Sequence, residues 1–309
     1  MHVAGHIPVL AREVVEALNL APDSKLVDAT FGRGGHARLC LKQLGPKGRL
    51  LALDRDPQAI AHAKREFAGD DRLRPVHCAF DQIDDAVRDW LGDTPVDAVL
   101  MDIGVSSPQL DEAVRGFSFS QEGPLDMRMD STQGASAREW LLETSEDDVS
   151  RSLRTLGEER FSRRIAAAIK QALQEDGLHT TTELAALVER VVPTREKNKH
   201  PATRTFQAIR IAVNGELAQL REALPKAFGV LRSGGRLVVI SFHSLEDRIV
   251  KNFMRELSRG DNFPPDLPVT ADQLKPRARL IGKARRASEA EVNENPRSRS
   301  AVLRVVEKL

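Results

Sequence analysis

The feature that most constrains this chain is an alternation of short apolar runs with amphipathic stretches over its first hundred residues. The apolar runs lie at Lys25–Ala29, Arg49–Leu53, Leu73–Cys78 and Val96–Met101, and the second and fourth lead into Asp54 and Asp102. Helical spacing fills the gaps, at Pro8–Leu18, His36–Leu44, Pro57–Phe67 and Ile83–Leu91. Pro57 suits a first helical turn, where no backbone N–H is needed. Near-continuous apolar strands separated by helices predict a parallel sheet covered on both faces.

The alternation then stops. From about Asp111 to Lys199 no run reads as a strand, and helical stretches fall at Ala137–Leu142, Glu146–Leu156, Glu158–Gln174 and Thr182–Val192. In the third, Phe161, Ile165, Ile169, Ala172 and Leu173 form one apolar stripe, with Arg160, Arg163, Arg164 and Lys170 largely off it, as in a helix with one buried face. Beyond it, Phe206, Ile209, Val213, Leu217, Leu220 and Leu224 predict one long helix, which Gly234-Gly235 turns into a strand at Arg236–Ser241. A helix at Leu245–Leu257, an irregular stretch at Ser258–Val269 and a last strand at Ala301–Val306 follow. The expected organisation is an α/β core, residues 1–111 and 201–309, interrupted by an all-helical insertion, residues 112–200.

Composition narrows the class. Of the 309 residues, 41% are hydrophobic and 29% charged, which excludes general disorder. No apolar run approaches the roughly 18 residues of a membrane span, and Met1–Pro8 lacks the basic-then-apolar pattern of a secretory signal. Two cysteines, Cys40 and Cys78, are too few for a disulfide framework or a structural zinc site and read as small buried residues. A cytoplasmic setting, with no membrane and no metal, is the expectation.

The net charge of +1 hides a strong asymmetry. Residues 81–112 hold nine acids and one base, 275–304 nine bases and three acids, and 190–210 six bases and one acid. Basic clusters on a neutral protein point to a local polyanion site, since each neutralised phosphate releases counterions; a solvated surface face is the plainer reading of any single cluster. With no Tyr in the chain, base stacking falls to Phe, His, Trp or Arg.

The densest motif runs from Val27 to His36, Val-Asp-Ala-Thr-Phe-Gly-Arg-Gly-Gly-His. A strand enters glycines that open a helix, so backbone approaches a ligand closely and offers unpaired N–H groups. Asp54, twenty residues past Gly34 and at the next strand end, is placed to accept from ribose hydroxyls. NAD and S-adenosylmethionine both fit those features. Asp28 favours the second, because a carboxylate there suits a ligand's ammonium group and repels a pyrophosphate. Asp102 at the fourth strand end faces the same crevice, and no hydride-site pair stands out. Phe80-Asp81, just past the third strand, offers an aromatic contact and a polar group to an adenine. Taken singly, these residues also read as loop caps, helix caps and core.

The chain resembles the bacterial 16S ribosomal RNA cytosine-N4 methyltransferase family, RsmH or MraW. The resemblance rests on stretches across nearly its whole length: His6–Leu10, Asp28–His36, Asp54–Gln58, Asp102–Asp111, Arg115–Phe119, Gly123–Asp130, Gly157–Arg160, His200–Phe206, Ser241–Arg248 and Asn295–Ser300. It implies a class I (Rossmann-like) S-adenosylmethionine-dependent methyltransferase core with an inserted helical substrate domain. It implies cofactor contacts at Gly34, Gly35, His36, Asp54, Phe80, Asp102 and Gln109. It also implies a substrate, one cytidine in the decoding region of 16S rRNA within the 30S ribosomal subunit.

An exocyclic cytosine nitrogen is a poor nucleophile, because its lone pair is delocalised into the ring. An acceptor for its N–H helps as positive charge develops there. Asp102 is the best-placed acceptor by topology; Ser106 and Ser107 are weaker candidates. The segment after Asp102 reads Ile-Gly-Val-Ser-Ser-Pro rather than the Pro-Pro-aromatic element of many amino-methyltransferases, which leaves cofactor binding as its other role. No Pro-Cys pair follows that strand, against a covalent carbon-5 route. His243, after the Arg236–Ser241 strand, has two readings, contact with RNA and structural hydrogen bonding. Arg204, Arg210, Arg297 and Arg299 are candidates to grip the RNA backbone, and Phe206 stands either beside them or in the core.

Overall fold

The computed structural model describes residues 8–193, 200–260 and 275–309. The bases Arg195, Lys197 and Lys199 and most of the stretch expected to be irregular lie outside the described residues. In chain order come α1 (Ala11–Leu18), β1 (Lys25–Asp28), α2 (Gly35–Gln43), β2 (Arg49–Asp54), α3 (Pro57–Glu66), β3 (Leu73–His77), α4 (Ile83–Leu91) and β4 (Val96–Asp102). Six helices follow: α5 (Ser107–Asp111), α6 (Ala137–Glu143), α7 (Glu146–Gly157), α8 (Ser162–Gln174), α9 (Thr181–Val191) and α10 (Thr203–Asn214). Then come α11 (Glu216–Gly229), β5 (Leu231–Ser241), α12 (Ser244–Arg259), β6 (Ala278–Leu280), β7 (Arg285–Arg286), α13 (Glu289–Glu294) and β8 (Val302–Lys308).

The chain divides into two compact units, one of Met1–Gly104 with Ala218–Leu309 and one of Val105–Leu217. In the first, the strands form a sheet in the order β3-β2-β1-β4-β5-β8-β6, with β7 also paired to β8. The pairings from β3 to β5 are parallel. The expectation of a parallel sheet holds for these five strands and not for β8, which is antiparallel to β5, β6 and β7. One face buries Val27, Leu53, Val99 and Met101 against Val87, Leu224 and Met254 from α4, α11 and α12. The other buries Leu26, Leu50 and Leu100 against Val14, Cys40 and Ala63 from α1, α2 and α3.

Several details of this unit correct the sequence reading. β5 starts at Leu231, not Arg236: Val96 faces Leu231 whereas Ala98 faces Arg236, so the extra residues bulge out of register at Gly234, φ +75°. The short β6 and β7 add to the strands expected. α1 starts only at Ala11, after a fully buried Leu10 held at φ 51° whose N–H donates to Glu291 Oε1 at 2.6 Å.

The second unit is helical, with one isolated bridge, Pro124 to Thr180, among the described residues. Capping boxes open α6, through Ser136 and Glu139, and α9, through Thr180 and Glu183. Ile165, Ile169 and Leu173 of α8 pack with Val149 and Leu153 of α7 and Phe206 and Ile209 of α10. Phe206 is therefore core. α7 and α10 approach so closely that a Cβ on Gly157 would lie 2.5 Å from the Arg204 carbonyl. The Asn214 side chain ties the Met127 carbonyl (2.7 Å) and the Met129 N–H (2.8 Å). These contacts bring α10 into the helical unit, which is wider at both ends than residues 112–200. The single long helix expected across 206–224 is two helices, because Gly215 adopts φ +62° and closes α10.

Candidate active site

Strand order reverses between β1 and β4, so the crevice outside their carboxyl ends is where a doubly wound sheet receives a ligand. Strand periodicity decides what faces it. Val27, Leu53 and Met101 point to one core, and Leu26, Ala52 and Leu100 to the other. By the two-residue alternation, Asp28, Asp54 and Asp102 all lie on the second face, the one covered by α2. The strand-end carboxylates thus converge because each sits an even number of residues from a core position on that face.

The loop between β1 and α2 is held in place by these side chains. Asp54 accepts from the Gly32 N–H at 2.7 Å and from the Asp56 N–H at 2.8 Å. The Asp102 N–H donates to Thr30 Oγ1 at 2.6 Å, and the Thr30 N–H to Asp28 Oδ1 at 3.2 Å. Thr30 is not among the sequence-derived candidates, although a hydroxyl two residues past a strand-end carboxylate is the signal for such a turn. Gly32 and Gly34 have positive φ, and a Cβ on Gly34 would lie 2.7 Å from the Phe31 ring. Gly34 N-caps α2, Gly35 is its first residue, and His36 is buried in its first turn.

His36 Nε2 is 3.5 Å from Asp102 Oδ2, with the Asp102 side chain one-quarter exposed. Both ring nitrogens of His36 and Asp102 Oδ1 are buried without a hydrogen-bond partner among the described residues, so the 3.5 Å approach is an ion-pair contact and not a hydrogen bond. Burial pushes the Asp28 carboxyl up to about 7 against the pull of His36 and the Thr30 amide. Burial likewise raises Asp54 to about 6, against its two amide donors and Arg55. For His36, burial lowers the pKa, but the Asp102 and Asp28 carboxylates outweigh it, and the imidazole stands above its ordinary value. Burial also raises Cys40, and it raises Cys78 to about 11, so neither thiol is activated.

Of the other sequence-derived candidates, Phe80 opens a 3₁₀ turn after β3 and packs partly buried against the first core. The neighbouring Asp81 carbonyl accepts from Lys226 Nζ at 2.7 Å. His243 N-caps α12, with Nε2 3.0 Å from the buried Glu246 carboxylate. Arg297 and Arg299 are exposed on a 3₁₀ turn ahead of β8.

Three candidates belong to the helical unit. Gln109 is buried and accepts from the Ser106 N–H at 2.9 Å, capping α5. Arg204 donates to the Glu158 carbonyl at 2.7 Å. Arg210 makes two bonds to Glu216, at 2.8 and 2.9 Å, and so faces a buried carboxylate. Among the described residues, no helix is long and apolar enough to cross a membrane.

A family model described as the MraW methylase family matches residues 3–309. Among solved structures, the chain is similar to an rRNA methylase of Clostridium thermocellum, at 14% identity and a TM-score of 0.46, covering 99% of this chain and all of that one. It is similar to an rRNA methylase of Streptococcus thermophilus, at 12% identity and a TM-score of 0.43, over 97% of this chain and 93% of that one. A methyltransferase of Streptococcus mutans in complex with SAH gives 13% identity and a TM-score of 0.47, over 98% of this chain and all of that one.

Proposed function

Because the chain belongs to the MraW methylase family and is an S-adenosylmethionine-dependent rRNA methyltransferase, we propose that it methylates N4 of one cytidine in the decoding region of 16S rRNA. Its core is the class I methyltransferase sheet, and S-adenosylmethionine is its cofactor. The observation that carries the N4 reading is Asp102 at the end of β4, with a buried carboxylate oxygen that no described residue uses.

The residues around the glycine loop suit the cofactor. A Cβ at Gly34 would fill the turn, and Asp54 keeps lone pairs for ribose hydroxyls after taking two amides. Gly34, Gly35 and His36 would hold the methionine portion, with Asp28 near its ammonium and Phe80 beside the adenine. The bound cofactor supplies a sulfonium methyl, an electrophile that needs no further activation.

What remains for the protein is orientation and a proton. Asp102 accepts the N4 proton as the nitrogen becomes cationic, and holding N4 in line contributes much of the rate. The target base must leave its stack to reach this depth. Arg204, Arg297 and Arg299 contact RNA backbone in this reading. The substrate is the 30S subunit, and the setting is the cytoplasm.

The test is methyl transfer from labelled S-adenosylmethionine to 30S subunits from cells lacking the gene, with mass mapping of the product nucleoside. N4-methylcytidine in the decoding region is the expected product. Methylation elsewhere, or S-adenosylhomocysteine binding without transfer to 30S subunits or free 16S rRNA, would remove the reading.

A further inference from the structure

The cofactor contact proposed for His36 does not explain why a buried imidazole stands beside Asp102, and this inference rests on the proposed role of Asp102. His36 is 6% exposed, and its side chain sits where β1, β4 and α2 meet. A neutral imidazole with nothing to bond is costly there, and an apolar residue would fill the space without that cost. Its one near neighbour of opposite character on β4 is Asp102 Oδ2, 3.5 Å from Nε2.

We propose that His36 is the positioning residue for Asp102: as an imidazolium beside Oδ2 it fixes the carboxylate and leaves its exposed edge to the substrate amine. Asp102 alone touches the reacting nitrogen. The step it performs is one proton transfer. N4–H breaks, a carboxyl O–H forms on Asp102 and the electron pair stays on nitrogen. The proton then leaves to water through the exposed quarter of the Asp102 side chain.

The charged groups around His36 are few. Asp28 faces it from β1, Asp102 from β4, and Asp54 on β2 acts on Asp28. On its own helix Cys40 stands one turn further along, and its raised pKa keeps it neutral. Two carboxylates beside one imidazole favour its charged form. A histidine also does more here than a lysine or an arginine, because its ring is rigid and carries its charge without a long flexible stem.

The experiment compares the full-length wild type with His36→Gln, His36→Phe and Asp102→Ala, using melting to confirm folded protein and S-adenosylhomocysteine calorimetry to set a cofactor concentration that saturates each variant. His36→Phe is expected to lower kcat roughly 10- to 100-fold with little change in KM for 30S subunits. It is also expected to move the acid limb of the kcat profile to higher pH, because a neighbouring cation is lost from beside the acceptor. His36→Gln restores a donor but no charge, so it recovers part of the plateau rate and not the limb.

A limb that stays in place while kcat falls equally at every pH would show a structural role only and overturn the inference. Full activity in both His36 variants would do the same. If Asp102→Ala keeps the wild-type rate, the acceptor reading itself is wrong; if only Asp102→Ala matters, that reading stands and the His36 role falls. Imidazole NMR supplies a readout without turnover, and it decides the matter if the His36 variants do not fold. His36 is expected to titrate above free histidine in the wild type and lower in Asp102→Asn. An unchanged titration would overturn the pairing.

Discussion

Arg210 and Glu216 form a bidentate pair across the α10–α11 turn, with the arginine side chain 16% exposed and the glutamate 6%. The pair spans the point where Gly215 breaks the helix, so it staples that turn. Arg210→Ala leaves a buried carboxylate without its partner, which costs about 2–4 kcal/mol. Thermal unfolding should show that loss, and the double variant Arg210→Met/Glu216→Leu should recover much of it. The salt dependence of RNA binding is expected to stay as it is in the wild type. A reduced salt slope at wild-type stability would place Arg210 at the RNA interface.

Arg297 and Arg299 have the opposite character, exposed on a short turn. Reversing both to Glu is expected to weaken 30S binding and flatten the salt slope, by roughly one unit for each phosphate no longer neutralised. Melting temperature should hardly move, as for most exposed substitutions. Filter binding across a salt series reads the slope directly. Binding and slope both unchanged would remove these residues from the interface.

Gly34→Ala meets two obstacles at once. The position has φ +70°, and the new Cβ would lie 2.7 Å from a Phe31 ring that is itself packed edge-on against Phe67. The loop must shift, so S-adenosylhomocysteine affinity should fall by at least roughly tenfold in calorimetry. The helical unit contains neither ring and keeps its far-UV signal. Unchanged affinity would mean that the loop does not depend on this turn.

Asp28 makes stability depend on pH with a definite sign. Its ordinary value is 3.8 and burial raises it to about 7 in the folded chain. Below about pH 4 the carboxyl is protonated in both states and contributes nothing. Between about pH 4 and 7 the unfolded chain has released a proton that the folded chain retains, so stability falls as pH rises. Above about pH 7 the full cost persists. Asp28→Asn is therefore expected to stabilise the cofactor-free protein at about pH 8 by about 1–3 kcal/mol, part of the gain being offset by the missing attraction to His36. Near about pH 4 the two proteins should melt alike. A gain independent of pH would point to packing instead of charge.

The strand ends are readable because strand period and burial agree there. Asp54 and Asp102 each close an apolar run, and a two-residue repeat sends them to the α2 face. Asp28 needs only the glycines that follow it. The α10–α11 break is hidden because Leu220 and Leu224 continue the apolar spacing of Phe206 and Ile209 through Gly215 into a different unit. β7 carries no apolar signal, since it consists of Arg285 and Arg286. The pairing of His36 with Asp102 joins two distant stretches of chain and depends on sheet order, which local pattern does not contain. Arg210 reads as a member of a basic run because its acid, Glu216, lies beyond the run's end.

The placement of β8 between β5 and β6 bears on how the molecule is made. The helical unit has its whole length of chain by Leu217, so it can consolidate while synthesis continues. The α/β unit cannot. β4 waits for β5 across the whole helical unit, and β5 in turn lacks its second neighbour until Val302–Lys308 emerges. Leu10 keeps its strained entry to α1 without a cap until Glu291 arrives. On a translating ribosome the cofactor half is thus the last part to close, with open strand edges exposed in the meantime, and slow synthesis or chaperone cover over that interval should govern its yield more than the helical insertion does.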